Sequence, residues 1–310
     1  MERGCGMAES IALAEVLEQQ FRDNVEKQIR KVHETEQTLY HYTGLPSLMG
    51  MMETNQLWMS KGTFLNDSSE LVYFSKVLEF VVKKLENQKH TPLWRLYIRE
   101  VVRIMGQFIE EVKENGFEVY IFSLSHSQDS LALWYNYAKG EGYNIGFSAE
   151  QLFQRVSGFS IGPMLHGYVM YGRQEQEEVL VELLLKTFEL VEPYEIDEIK
   201  KALPEHFFSL IASCAVFFKD PAFKSEEEYR IALMSRKSDK QPDVQFRAQN
   251  GVIIPYITVD FQSRLPISHI TIGPKNNVDI AKSGMEHYLK WKGYDLEHVS
   301  ISKSVAALRY

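Results

Sequence analysis

The sequence predicts an α+β fold, and three observations carry that expectation. Segments of helical periodicity and segments of alternating β-branched and aromatic residues are mixed along the chain, without a steady strand–helix–strand period. No internal repeat, low-complexity tract or Pro/Gly/Ser-rich linker interrupts it. With 310 residues, 45% hydrophobic and 25% charged, the chain can bury a full core and lacks the makeup of a disordered one.

The elements follow in order. From Ala8 to His33, apolar Ile11, Val16, Leu17, Phe21, Val25, Ile29 and Val32 recur among Glu, Gln, Arg and Lys, which predicts an amphipathic helix that packs on the core or docks a partner. Met7 is an alternative start. A strand is expected at Thr38–Tyr42, a helix at Leu45–Glu53, a strand at Leu57–Ser60, and a loop at Lys61–Ser68 that ends by capping a helix. Helical runs cover Ser69–Asn87 and Pro92–Asn115. A strand at Glu118–Ser125, a helix at Leu131–Ala138 and a strand at Tyr143–Ser148 come next. Gln174–Glu192 reads as a long helix, and Ile196–Phe218 as a second one broken near Pro204. Strands at Tyr229–Met234, Val252–Val259, Ile267–Gly273 and Val299–Ser302, with a helix at Val278–Trp291, complete the chain. The expected organisation is an N-terminal helix over 1–36 and one α+β domain over 37–310, with helical insertions at 69–115 and 174–218.

The formal net charge of −8 argues against a protein built to grip duplex DNA, since phosphate neutralisation dominates that affinity. It leaves room for a local track that takes a single strand. Two cysteines, Cys5 and Cys214, give no disulfide framework, and the scattered histidines give no metal-ligand spacing. No signal-peptide core and no membrane-length apolar run is present, so a cytoplasmic location is expected. There is no phosphate-binding P-loop, no Gly-x-Gly-x-x-Gly, no His-Glu-x-x-His and no nucleophile elbow.

Three segments stand out. In Leu39-Tyr40-His41-Tyr42-Thr43-Gly44, strand alternation sets His41 opposite Tyr40 and Tyr42, and Gly44 lets backbone amides approach a ligand. An isolated strand-end histidine is also a common structural feature. The second segment runs from Ile121-Phe122-Ser123-Leu124-Ser125 through Asp129-Ser130 to Trp134-Tyr135-Asn136-Tyr137. It sets hydroxyls beside rings, with Trp134 and Tyr137 one helical turn apart, which suits a flat heteroaromatic or simple core packing. In the third, Ser225-Glu226-Glu227-Glu228-Tyr229-Arg230, a strand would put Glu226, Glu228 and Arg230 on one face. Two carboxylates there could orient sugar hydroxyls and stabilise a developing cation, or one could simply pair with Arg230.

In this order the segments resemble a bacterial domain-of-unknown-function family (twenty-nine seventy-one). The likeness rests on the Tyr-His-Tyr-Thr start, Phe64-Leu65-Asn66-Asp67, the Phe-Ser-x-Ser and Trp-x-x-Tyr run, Phe218-Lys219, Glu226 to Arg230, Ile272-Gly273-Pro274 and Lys303-Ser304. It spans about Leu39 to Arg309. More distantly the chain is similar to the ADP-ribosyltransferase superfamily, which implies a split mixed or antiparallel sheet and NAD as co-substrate, with no metal. By that likeness His41 would hold the adenosine-side ribose, Tyr42, Thr43 and Gly44 would line the nicotinamide side, and Phe122, Ser123, Trp134 and Tyr137 would shape its pocket. Glu228 would be the catalytic carboxylate, Glu226 would position the acceptor, and His41 would complete the catalytic set.

The implied activity is transfer of ADP-ribose to a macromolecular acceptor, either protein or single-stranded RNA or DNA, in a bacterial toxin or phage-defence effector. Such an effector would have an antitoxin or other restraining protein partner, with the N-terminal helix as its docking element, and no membrane partner. Lys275, Arg230, Lys219 and Lys224 are candidates for a single-strand track. Two other readings stay open: an NAD glycohydrolase using the same site, and a non-catalytic nucleotide-sensing or interaction module.

Overall fold

The computed structural model describes residues 5–24, 38–65, 70–86, 88–89, 91–156, 164–238, 240–249 and 251–306. In chain order the elements are α1 (Cys5–Asn24), β1 (Thr38–Thr43), α2 (Leu45–Thr54), β2 (Gln56–Lys61), α3 (Glu70–Glu86), α4 (Pro92–Lys113), β3 (Phe117–Ser125), α5 (Leu131–Ala138), β4 (Tyr143–Ser148), α6 (Ala149–Val156), β5 (Met164–Tyr168), α7 (Arg173–Val191), α8 (Ile196–Phe217), β6 (Glu228–Arg236), β7 (Gln245–Gln249), β8 (Val252–Asp260), β9 (Ile267–Ile272), α9 (Val278–Trp291) and β10 (Ser300–Lys303). The fold is α+β, as expected, with a mixed open sheet.

Local chemistry sets several of these boundaries. Thr91 caps α4 by accepting the Trp94 N–H at 3.1 Å, with proline in the first turn. Helix α2 also has proline in its first turn and ends on Asn55 in the left-handed region (φ 54°). Helix α8 runs unbroken through Pro204, contrary to the expected break. The carbonyl that this proline leaves unbonded belongs to Lys200, which is exposed to water, while buried Ile199, Leu203, Phe207 and Leu210 hold the opposite face. Periodicity did not reveal α6, β5 or β7. The expected helical residues 25–33, and Asn66 and Asp67, lie outside the described residues.

The chain folds into two compact units that are interleaved along the sequence. The first gathers α1, α3, α4, α7 and α8, so the two expected insertions and the N-terminal helix assemble with one another. In it Trp94, Tyr97, Phe188 and Phe207 pack edge to face or stacked, and the buried Tyr97 hydroxyl donates to Leu184 O at 2.6 Å. Leu13 and Leu17 of α1 are buried and α1 packs on α8, so that apolar face serves a core.

The second unit contains β1, β2, β4, β6–β10 and most of β3, with α2, α5, α6 and α9. Its sheet runs in the order β10-β9-β4-β1-β3-β2-β8-β7, with β6 also paired to β3. Strand β3 therefore has three neighbours and only two edges. Strand β1 meets it at Ser125 and β2 meets it at Tyr120 and Ile121. Near its end, His126 N donates to Glu227 O on the other side. The sheet splits at this strand.

Candidate functional site

Two of the residues that the sequence suggested, His41 and Glu226, are hydrogen-bonded to the last residues of β3. Strand β1 registers with β4 along its whole length but with β3 only through Tyr40 and Ser125. Beyond that point the strands part, and the Ser123 carbonyl accepts from His41 Nδ1 at 2.8 Å. A side chain fills the ladder position that a backbone amide would take. The bond fixes the tautomer: Nδ1 carries the hydrogen and Nε2 keeps its lone pair. The imidazole also stacks on Phe122, with centroids 4.4 Å apart. Burial pushes His41 down to about 4, opposed in part by the Ser123 bond, and the Arg247 charge acts in the same direction as burial. The ring is neutral at physiological pH.

Glu226 and Glu228 flank the start of β6, but not on one strand face as expected. The strand begins at Glu228, Glu226 ends a 3-10 turn (Pro221–Glu226), and Glu227 between them takes the left-handed region (φ 44°). Alternation therefore relates Glu228 to Arg230 and leaves Glu226 to a different environment. Glu226 is 6% exposed, and its Oε1 accepts from the Tyr137 hydroxyl at 2.8 Å. Its backbone carbonyl accepts from Ser125 Oγ at 2.8 Å. Glu228 is 6% exposed and accepts from Arg230 Nε and Nη2, both at 2.9 Å, in a bidentate pair with a guanidinium that is 0% exposed. The attachment points of His41 (Ser123) and Glu226 (Ser125) lie two residues apart on β3, about 7 Å at the usual strand rise.

Several residues expected to contact a ligand are engaged within the protein. Trp134 is 0% exposed, and its Nε1 donates to Asp129 at 2.6 Å, so it offers no ring face to a ligand. Phe122 is buried beneath His41. Tyr42 is a staple: its hydroxyl donates to Ser127 O at 2.8 Å and accepts from Ser130 N at 2.9 Å. Thr43 is buried, while Gly44, Ser123 and Tyr137 are half-buried. Of the expected basic track, Arg230 and Lys219 are buried, which removes them from any exposed surface, whereas Lys224 and Lys275 are exposed.

The late motifs have an architectural account. Asp129 accepts from Ser304 Oγ at 2.6 Å and Val305 N at 2.7 Å, so the Lys303-Ser304 end holds the turn after β3. Gly273 N donates to Gly142 O at 2.9 Å, and a Cβ at Gly273 would lie 2.7 Å from the carbonyl oxygens of Gly140 and Gly142. The Ile272-Gly273-Pro274 segment thus clamps the turn that follows α5, the helix that aims Tyr137 at Glu226.

A residue that sequence reasoning missed is Arg247 on β7. Its Nη2 donates to Ser60 Oγ at 2.8 Å, and its guanidinium lies over the rings of Trp58 and Tyr256, 5.7 and 5.4 Å from their centroids. One arginine in a short edge strand carries no sequence signal. Among the described residues no group of three or more His, Cys, Asp or Glu is placed to hold a metal ion, and no helix is long and apolar enough to cross a membrane.

Comparison with family models gives a match to the family described as "Protein of unknown function (DUF2971)", over residues 133–231. That segment resembles DUF2971. The expected likeness to this domain-of-unknown-function family is shown over those residues. The DUF2971 segment contains Trp134, Tyr137, Glu226, Glu228 and Arg230, and leaves His41 and Ser123 outside it. No curated protein and no solved structure matches the chain.

Proposed function

We propose that the chain is an NAD-dependent ADP-ribosyltransferase whose site lies at the β3 split, acting on a protein or single-stranded nucleic acid. The supporting observation is that His41 and the Glu226–Glu228 corner are both fastened to β3 between Ser123 and Ser125. Three segments far apart in sequence are thereby held at one strand end.

In this reading the C1′–N bond of the nicotinamide ribose breaks, and nicotinamide leaves with the electron pair. The positive charge that builds at C1′ is of the oxocarbenium kind met in glycoside hydrolysis. A carboxylate bonded to the 2′-hydroxyl stabilises that charge more in the transition state than in the ground state. Glu228 is assigned this role, which requires its bond to Arg230 to loosen when the hydroxyl arrives. Glu226, held by Tyr137, faces the acceptor, whose nucleophile bonds C1′ and gives up a proton. Neutral His41 holds the adenosine-side ribose through its Nε2 lone pair.

One arrangement favours a second reading, a nucleotide-binding module without turnover: the bidentate hold of Arg230 on Glu228. Incubating the purified protein with NAD labelled in the ADP-ribose moiety and with cell extract separates the readings. Label on macromolecules, lost in Glu226→Gln, supports transfer. Nicotinamide release without transfer assigns a glycohydrolase. NAD binding with neither product assigns the module, and no binding at all rejects the NAD site.

A further inference from the structure

Arg22, Arg103, Arg173 and Arg230 each sit on a glutamate. Arg247 does not. Both of its side-chain bonds leave from Nη2, to the neutral oxygens Ser60 Oγ (2.8 Å) and Gln249 Oε1 (3.3 Å). Its Nε is buried without a hydrogen-bond partner. Desolvation by burial lowers its pKa, opposed in part by Tyr256.

Strand register explains how the group is held. Gln245, Tyr256 and Ser60 stand opposite one another across β7, β8 and β2, so they share a face with Arg247 and Trp58, two residues along their strands. Tyr256 is pinned by its hydroxyl donating to Gln245 Oε1 at 3.0 Å. The guanidinium lies on a shelf of two rings, fixed by a serine, with its charge close enough to depress His41. Rings and neutral oxygens orient a cation without neutralising it, which is unfavourable for a half-buried charge unless a ligand brings the counter-charge. The planar fork matches the spacing of phosphate oxygens.

We propose that Arg247, oriented by Ser60 on the Trp58–Tyr256 shelf, is a phosphate-binding site beside His41. Only the identity of the ligand rests on the NAD reading: there the site takes the diphosphate that links the two riboses.

The test is calorimetric titration of the full chain, and of Arg247→Gln and Arg247→Lys, with inorganic pyrophosphate, ADP-ribose and, as a carboxylate control, acetate. Pyrophosphate and ADP-ribose should bind the parent protein, weaken by about 10-fold or more in Arg247→Gln, and recover in part in Arg247→Lys. Circular dichroism of both variants checks that the hairpin stays folded. The proposal is overturned if neither phosphate ligand binds the parent protein, if Arg247→Gln binds them equally well, or if acetate competes on equal terms. Pyrophosphate binding that depends on Arg247, together with no nicotinamide release from NAD under any condition, would sink the transferase reading alone. NAD turnover with an unchanged KM in Arg247→Gln would sink the phosphate site alone.

Discussion

Replacing Glu228 by glutamine should unsettle the fold before it informs on chemistry. Arg230 is fully buried, and Glu228 meets it with two hydrogen bonds of 2.9 Å. In the variant an amide N–H2 group faces one of the guanidinium N–H groups, and the charge of Arg230 loses this carboxylate. Breaking one partner of a buried ion pair costs about 3–5 kcal/mol, a large share of a typical total of roughly 5–15 kcal/mol. Because glutamine keeps one acceptor, the lower end applies. With an m-value of about 3 kcal/mol/M in urea, 3 kcal/mol lowers the midpoint by about 1 M. The assay is urea unfolding followed by tryptophan fluorescence and by circular dichroism, since two units need not unfold together. The double variant Glu228→Gln/Arg230→Met should regain most of the loss, because replacing both members of such a pair is close to neutral. A single variant within about 0.5 kcal/mol of the parent protein, or a double variant whose loss is the sum of the singles, would refute the reasoning. The consequence for function is direct: an inactive Glu228→Gln protein says nothing about catalysis unless its fold is measured alongside.

Three further outcomes follow from the same geometry. The folded-state pKa of His41, about 4, lies below the ordinary 6.5, so its contribution to stability is complete above about pH 6.5 and is lost as the pH falls toward 4. An NMR titration of the ring should place its midpoint near 4, and His41→Gln should flatten, without abolishing, the acid limb of stability, since buried His206 behaves alike; a midpoint at the ordinary value would contradict the assigned environment. Tyr137→Phe removes the donor to buried Glu226 and should cost about 1–3 kcal/mol by thermal or urea unfolding, whereas an unchanged stability would mean that this bond is not formed in solution. Gly273→Ala brings a methyl group to 2.7 Å from two carbonyl oxygens and should destabilise by about 1–3 kcal/mol, while Gly284→Ala, in open space on α9, should be neutral or slightly stabilising.

The strands and helices that the sequence made visible are those with strong periodicity and clear end signals, such as α4 with Thr91 and Pro92 or α5 with Ser130. Helix α6 and strands β5 and β7 are short and lack such signals, so they stayed hidden. Pro204 misled because the cost of a missing amide depends on what else holds the helix, and that is a packing fact. For the site, the residue types at His41, Ser123, Tyr137, Glu226 and Glu228 were legible. The burial of Trp134 and Phe122, the use of Tyr42 as a turn staple and the position of Arg247 were not, because each is decided by a neighbour more than forty residues away or by a turn whose geometry no motif encodes.

The amino-acid order alone determined the α+β class, the membership of each strong element and the list of polar residues available for chemistry, since periodicity and capping act over a few neighbouring residues. Tertiary structure alone decided which of them meet. The parting of β1 from β3 turned His41 toward the Ser123 carbonyl, and the left-handed Glu227 sent Glu226 to Tyr137 and Glu228 to Arg230. Hydrogen bonds and desolvation act through space, and the distances they depend on exist only once the chain has folded.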